Sequence, residues 1–246
     1  MKKIMVTMIF IFACFHLTGC SRSEAQITEY QSTDELVVLA HGLGRSDGAV
    51  WLFAQRLANA GYKVCRLDYA TIGESIDDVL AETTKQIDAC LLHAPKVHFV
   101  GHSLGGLVIR AYLQNNQYQL EKINIAEVVL IGTPNKGSEL ADHLSDAWLM
   151  EVGGGISRAL VTGRSSLGNN LDETDANIGI IAGTKSSNLT NDLFDGPNDG
   201  FVSVESTKLS SMSDFITIDV SHSMMRYNLD VAEQTINFLQ NGKFQH

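Results

Sequence analysis

Basic residues are scarce in this chain. Eighteen Lys and Arg face 28 Asp and Glu, for a formal charge of −10. That argues against nucleic acid as a partner, because phosphate binding needs a basic face. Proline is scarcer still: three in 246 residues, each at a predicted loop or element boundary. No internal repeat and no low-complexity tract occurs. The apolar run Ile4 to Phe15 is too short to span a bilayer comfortably. Acidic stretches near 172–175 and 192–199 lack the EF-hand spacing, so they read as solvated loops rather than calcium sites. What is present is ordinary for a globular protein: 44% hydrophobic and 19% charged. A chain of this length fits one large domain with a substantial core.

From Glu35 onward, strands and helices alternate. Leu36 to Ala40 is a continuous apolar run, as expected of a strand buried on both faces. Further strands are expected over Tyr62–Leu67, Val97–Val100, Ile125–Ile131, Ile178–Ala182 and Phe215–Val220. Between them, Ala49, Leu52, Phe53, Leu57 and Ala60 share one helical face. Ile76, Val79, Leu80, Thr83, Ile87 and Leu91 share another. Leu104, Leu107, Val108, Ala111 and Tyr112 follow i, i+3, i+4, i+7, i+8 spacing, and Val231, Ala232, Ile236 and Leu239 mark a last helix. This alternation predicts an α/β fold: a mostly parallel sheet of about six strands with helices on both faces. Residues 138–176 break the rhythm. The stretch is too long for a plain connection and reads as an insertion near the site, a lid or cap.

One pentapeptide carries chemistry. Gly101-His102-Ser103-Leu104-Gly105 follows an apolar strand and runs into an amphipathic helix. In that context it matches the G-x-S-x-G nucleophile elbow. A sharp strand-to-helix turn forces the serine into a strained backbone, and the flanking glycines avoid collisions. The helix N-terminus then favours developing negative charge beside the serine.

With these residues the chain resembles the α/β-hydrolase superfamily, and within it bacterial lipases and triacylglycerol-lipase-like esterases, from about Leu36 to Phe244. The resemblance implies Ser103 as nucleophile, an acid and then a histidine later in the chain. His222, after the last strand, takes the position of the general base. Asn198-Asp199-Gly200-Phe201-Val202 resembles the N-D-G-x-V segment and makes Asp199 the acid, with Asp195 in reserve and Asp192 also in the region. Asp-Gly is also a strong type I′ turn signal, and both readings can hold. His41-Gly42-Leu43-Gly44 resembles the H-G-x-G form, implying oxyanion donors at the backbone N–H of Leu43 and Leu104. His41 and His102 read as motif context, and His98 as a strand residue. Arg45 either approaches a substrate carboxylate or phosphate or is a solvated surface arginine. Gly132-Thr133-Pro134-Asn135-Lys136-Gly137-Ser138 resembles the lipase G-T-P-x-x-G-S segment and is expected at the pocket rim. The implied activity is hydrolysis of carboxylic esters or acyl lipids through an acyl-enzyme, needing neither metal nor cofactor. The same triad serves acyltransferases, thioesterases and amidases, and the fold can persist as a non-catalytic binding module.

The N-terminus has its own signature. Lys2 and Lys3 precede the apolar run, and Leu17-Thr18-Gly19-Cys20 closes it. This resembles a bacterial lipobox, which implies a signal peptide over 1–19 and a lipid on Cys20. Losing Lys2 and Lys3 takes the charge from −10 to −12. Residues 20–34 then read as a tether and 35–246 as the catalytic domain. The resemblance implies membrane attachment through the lipid, at the bacterial cell envelope. Ser21, not Asp, follows the cysteine, which by the same resemblance indicates the outer membrane. Cys14 leaves with the signal. Cys65 and Cys90 remain, one in a predicted strand and one near a helix end. A disulfide, which export permits, and two inert buried thiols both stand as readings.

Overall fold

Six parallel strands form one sheet in the order β2-β1-β3-β4-β5-β6. They are β1 Glu35–Ala40, β2 Lys63–Arg66, β3 Lys96–His102, β4 Ile125–Ile131, β5 Asn177–Gly183 and β6 Asp214–Ile218. The structure, a computed structural model, describes residues 31–144, 154–186 and 190–246. The signal peptide, Cys20, most of the tether, Trp148 to Met150 and Gly153 lie outside the described residues. The sixth strand stops at Ile218, two residues before the expected end. The backbone then turns, with the Val220 N–H donating to the Ile218 carbonyl at 2.8 Å.

Alternation along β1 explains the two layers of helices. Leu36, Val38 and Ala40 pack into one core with Ile87 of α2 (Ile76–Leu91) and Leu104, Leu107 and Val108 of α3 (Leu104–Asn115). Val37 and Leu39 point the other way. They meet Phe53 and Leu57 of α1 (Trp51–Asn59) and Phe238 and Leu239 of the C-terminal helix Leu229–Asn241. Side chains alternate across a strand, so a strand apolar at every position is covered on both sides. Side chains cap two of these helices. The Ser75 side chain accepts from the Asp78 N–H, and Asn228 from the Val231 N–H. The first helix starts later than its periodicity suggests, because Asp47–Val50 forms a 3₁₀ turn ahead of it.

Strand order locates the functional edge. All strands run the same way, so the loops after them share the carboxyl edge of the sheet. The connection leaving β1 goes to α1 on one face, and that leaving β3 goes to α3 on the other. Two adjacent strands whose connections diverge leave a crevice between them. The loop after β1 and the turn at Ser103 flank that crevice.

Cys65 of β2 and Cys90 of α2 form a disulfide, with Cα atoms 6.1 Å apart. Of the two readings left open by the sequence, the structure takes this one. The bridge ties the edge strand to the helix that covers it. Its 25-residue separation corresponds to about 3.5 kcal/mol of stabilisation in the chain-entropy account.

Candidate active site

Ser103 occupies a backbone that few L-residues adopt, with φ 56° and ψ −126°. Such a conformation costs on the order of 1–3 kcal/mol and persists only where its surroundings impose it. The surroundings here are a crossing of two backbones. A Cβ on Gly101 would stand 2.5 Å from the Cα of Gly106, so any side chain there would push the turn apart. Serine at a helix N-cap ordinarily accepts a hydrogen bond from the first turn. Ser103 makes no such bond; its hydroxyl is directed to His222 instead.

His222 opens a short 3₁₀ turn, His222–Met224, after β6. Its Nδ1 lies 2.7 Å from Asp199 Oδ2 and its Nε2 lies 2.9 Å from Ser103 Oγ. A carboxylate only accepts, so Nδ1–H donates to Asp199, and Nε2 is left to accept from the serine hydroxyl. All three residues are buried: Ser103 is 8%, His222 6% and Asp199 2% exposed. The structure therefore brings together three side chains separated by 119 and 23 residues.

Asp199 is held firmly. Its Oδ1 accepts from the N–H groups of Phe201 and Val202 at 2.9 and 2.8 Å. Its carbonyl accepts from the His222 N–H at 3.0 Å, so the loops carrying Asp199 and His222 are joined twice. Asp195 is exposed and Asp192 lies in an exposed turn; neither reaches the histidine. The Asp-Gly turn forms, but not as type I′, which requires positive φ at both central residues. Only Gly200 has it, at 93°.

The loop after β1 lies against the serine. A Cβ on Gly42 would be 3.0 Å from Ser103 Cβ. The loop is fixed by Gly44 N–H donating to Thr71 Oγ1 at 2.8 Å and by the Tyr69 hydroxyl donating to the His41 carbonyl. The His41 and Tyr69 rings stack with centroids 4.0 Å apart. Leu43 follows Gly42 in this loop. Leu104 is the first residue of α3, so its N–H has no acceptor inside the helix.

Two features escape a reading of the sequence. His102 is more than motif context: its Nε2 lies 3.0 Å from the His222 carbonyl. Burial, with the positive charge His222 would carry, holds the His102 ring well below the ordinary histidine range. The neutral ring therefore donates from Nε2–H to that carbonyl and anchors His222. Phe201, half exposed, stacks on the His222 ring at 5.1 Å. No local periodicity marks either role, because each depends on which loops the sheet brings together.

A cavity of about 190 Å³ opens beside Ser103 and His222. A single water needs roughly 15 Å³ by the same measure, so the space suits an organic group. Its apolar wall includes Leu140, Ala141, Leu160 and Val202. Leu140, Ala141 and Leu160 come from the 138–176 insertion, which includes the short helices Glu139–Leu144 and Gly154–Ala159. Pro134 and Ser138 of the Gly132–Ser138 segment also line it. Asn135 turns inward, accepting from Arg110 Nη1 at 3.1 Å and donating to the Thr207 carbonyl at 2.6 Å. Among the described residues, no three His, Cys, Asp or Glu side chains cluster as a metal site.

Comparison with known proteins agrees with this architecture. A triacylglycerol lipase of Pseudarthrobacter phenanthrenivorans is 35% identical over 130 residues, covering 48% of this chain and 38% of the lipase. A triacylglycerol lipase of Burkholderia plantarii is 35% identical over 130 residues, covering 48% of this chain and 34% of that enzyme. The aligned part thus spans little more than a third of either relative. In three dimensions, the propeptide form of Bacillus licheniformis lipase BlEst2 superposes with a TM-score of 0.68 at 20% identity, covering 82% of this chain and 50% of that one. At that identity the likeness speaks to fold alone. A family model described as a domain of unknown function (DUF7379) matches residues 20–179. The chain belongs to that family, and its fold is that of the α/β-hydrolases.

Proposed function

We propose that this protein hydrolyses carboxylic esters through a Ser103–His222–Asp199 triad. The observation that carries the reading is the continuous hydrogen-bonded path from Asp199 Oδ2 through the His222 ring to Ser103 Oγ, at 2.7 and 2.9 Å. His222 Nε2 takes the hydroxyl proton as Oγ attacks the ester carbonyl carbon. The negative charge on the carbonyl oxygen is met by the Leu43 and Leu104 N–H groups, donors worth about 3 kcal/mol each when preorganised. Collapse of the adduct breaks the ester bond. The alcohol leaves with the proton from His222, and Oγ keeps the acyl group. Water then repeats the sequence, with His222 again as base, and releases the acid. The apolar cavity wall suits an acyl chain, and the similarity to triacylglycerol lipases supports the same substrate class. Reaction of the folded protein with a fluorophosphonate tests this directly. Peptide mapping is expected to find the adduct on Ser103; an unreacted Ser103 ends the enzyme reading.

The reading extends to the cell envelope. Cleavage after Gly19 and lipidation of Cys20 leave residues 20–34 as a tether between the outer membrane and the domain. The Cys65–Cys90 disulfide supports an oxidising compartment. Incorporation of labelled palmitate in a bacterial host is the check. The wild-type chain is expected to take the label and the Cys20→Ala variant to lose it; equal labelling of both removes Cys20 as the anchor.

A further inference from the structure

Among the described residues, no aspartate or glutamate lines the cavity beside Ser103, yet two arginines do, Arg45 and Arg226. This is unexpected in a chain of charge −10. Five basic residues, Lys63, Arg66, Lys96, Lys136 and Lys208, have a carboxylate within 4.0 Å, while others such as Arg56 and Arg110 bind backbone carbonyls instead. Neither Arg45 nor Arg226 has such a carboxylate among the described residues. Arg45, from the loop after β1, gives one donor to the Gly44 carbonyl at 2.9 Å. Arg226 is partly buried, with its guanidinium over the Tyr227 ring at 4.7 Å and its Nε buried without a partner. A guanidinium carries five donors. Among the described residues most of these two sets are uncommitted, and both charges are close enough to act on the His102 ring.

The walls divide the labour. Leu140, Ala141, Leu160 and Val202 follow β4 and β5, whereas the arginines follow β1 and β6. An acyl chain on the apolar wall leaves the alcohol portion to reach the exposed Arg45 at the rim. We propose that Arg45 and Arg226 form an anion subsite, and that the substrate is an acyl ester whose alcohol bears a phosphate group, as in an acyl glycerophosphate. Two forked guanidiniums suit a tetrahedral oxyanion with several acceptors better than a single planar carboxylate. This rests on the ester-hydrolase reading above and sharpens it. Arg226 should contribute more than Arg45, because an exposed charge pair is weakened by water.

The test compares kcat/KM for three soluble esters with one acyl chain: 1-octanoylglycerol, its 3-phosphate and 3-octanoylglycerate. The phosphate ester is expected to be preferred over the neutral ester by about tenfold or more, and over the glycerate by a smaller factor. Arg226→Gln should remove most of that preference and Arg45→Gln part of it. The double variant should bring the phosphate-to-neutral ratio near one, and Arg226→Lys should keep an intermediate ratio. Circular dichroism confirms that each variant is folded. Equal wild-type rates on the phosphate and neutral esters, or a preference that survives the double variant, overturns the subsite while leaving ester hydrolysis intact. A glycerate preferred over the phosphate overturns the phosphate assignment. No hydrolysis of any of the three defeats the ester-hydrolase reading, and the subsite with it.

Discussion

Ser103→Ala is expected to lower kcat by about six powers of ten, the scale seen when a triad nucleophile is removed. The substitution deletes one oxygen atom whose bond goes to His222 Nε2. It leaves the Gly101–Gly106 crossing, and with it the strained turn, untouched. Alanine feels the same penalty at φ 56° as serine, so the melting temperature should move little. Ser103→Gly separates chemistry from strain. It is expected to be as inactive as the alanine variant but more stable, by about 1 kcal/mol, because glycine adopts positive φ without a Cβ clash. Urea unfolding of the three proteins beside an ester assay checks both parts. Turnover retained in Ser103→Ala would remove this serine from the mechanism. A glycine variant less stable than the alanine one would mean that the turn is not imposed by its surroundings.

Asp199→Asn is expected to cost about four powers of ten in kcat, by analogy with other triads. The cause is the proton on the imidazole rather than the loss of a charge alone. Asparagine can keep its Oδ1 on the Phe201 and Val202 N–H groups, which now bind the aspartate. Its amide NH₂ then faces His222 Nδ1. A donor there favours the tautomer with the proton on Nε2, and that nitrogen no longer accepts from Ser103. The fold should survive, because the bonds that shape the turn are kept, including the Asp199 carbonyl to His222 N–H. Asp195→Asn is the control: the residue is exposed, and its replacement should leave the rate within about twofold, as for a surface change far from any special contact. A normal rate in Asp199→Asn with a loss in Asp195→Asn would move the acid to position 195.

Local patterns carry local structure, and here they were legible. The six expected strand segments match the six strands, and helical spacing marks the four long helices, with boundaries off by a residue or two. The elbow could be read because its demands are local: a strand, a tight turn with small neighbours and a helix within a few residues. The disulfide was less legible. Cys65 and Cys90 sit on different elements, and only packing of α2 against the edge of the sheet decides whether their sulfurs meet. The role of His102 shows the same limit. Its own neighbourhood in sequence is the elbow, while its partner is a carbonyl 120 residues away.

The sequence by itself determined which segments become strands and helices, and that a serine is held in a strained turn at a helix N-terminus. Those outcomes follow from side-chain periodicity and from the backbone freedom of glycine, which act over a few residues. Only the tertiary structure decided that positions 103, 199 and 222 meet, and that Arg45 and Arg226 share one cavity. Strand order sets these meetings. In a parallel sheet, every loop after a strand opens on one edge, and the order of strands chooses which loops are neighbours.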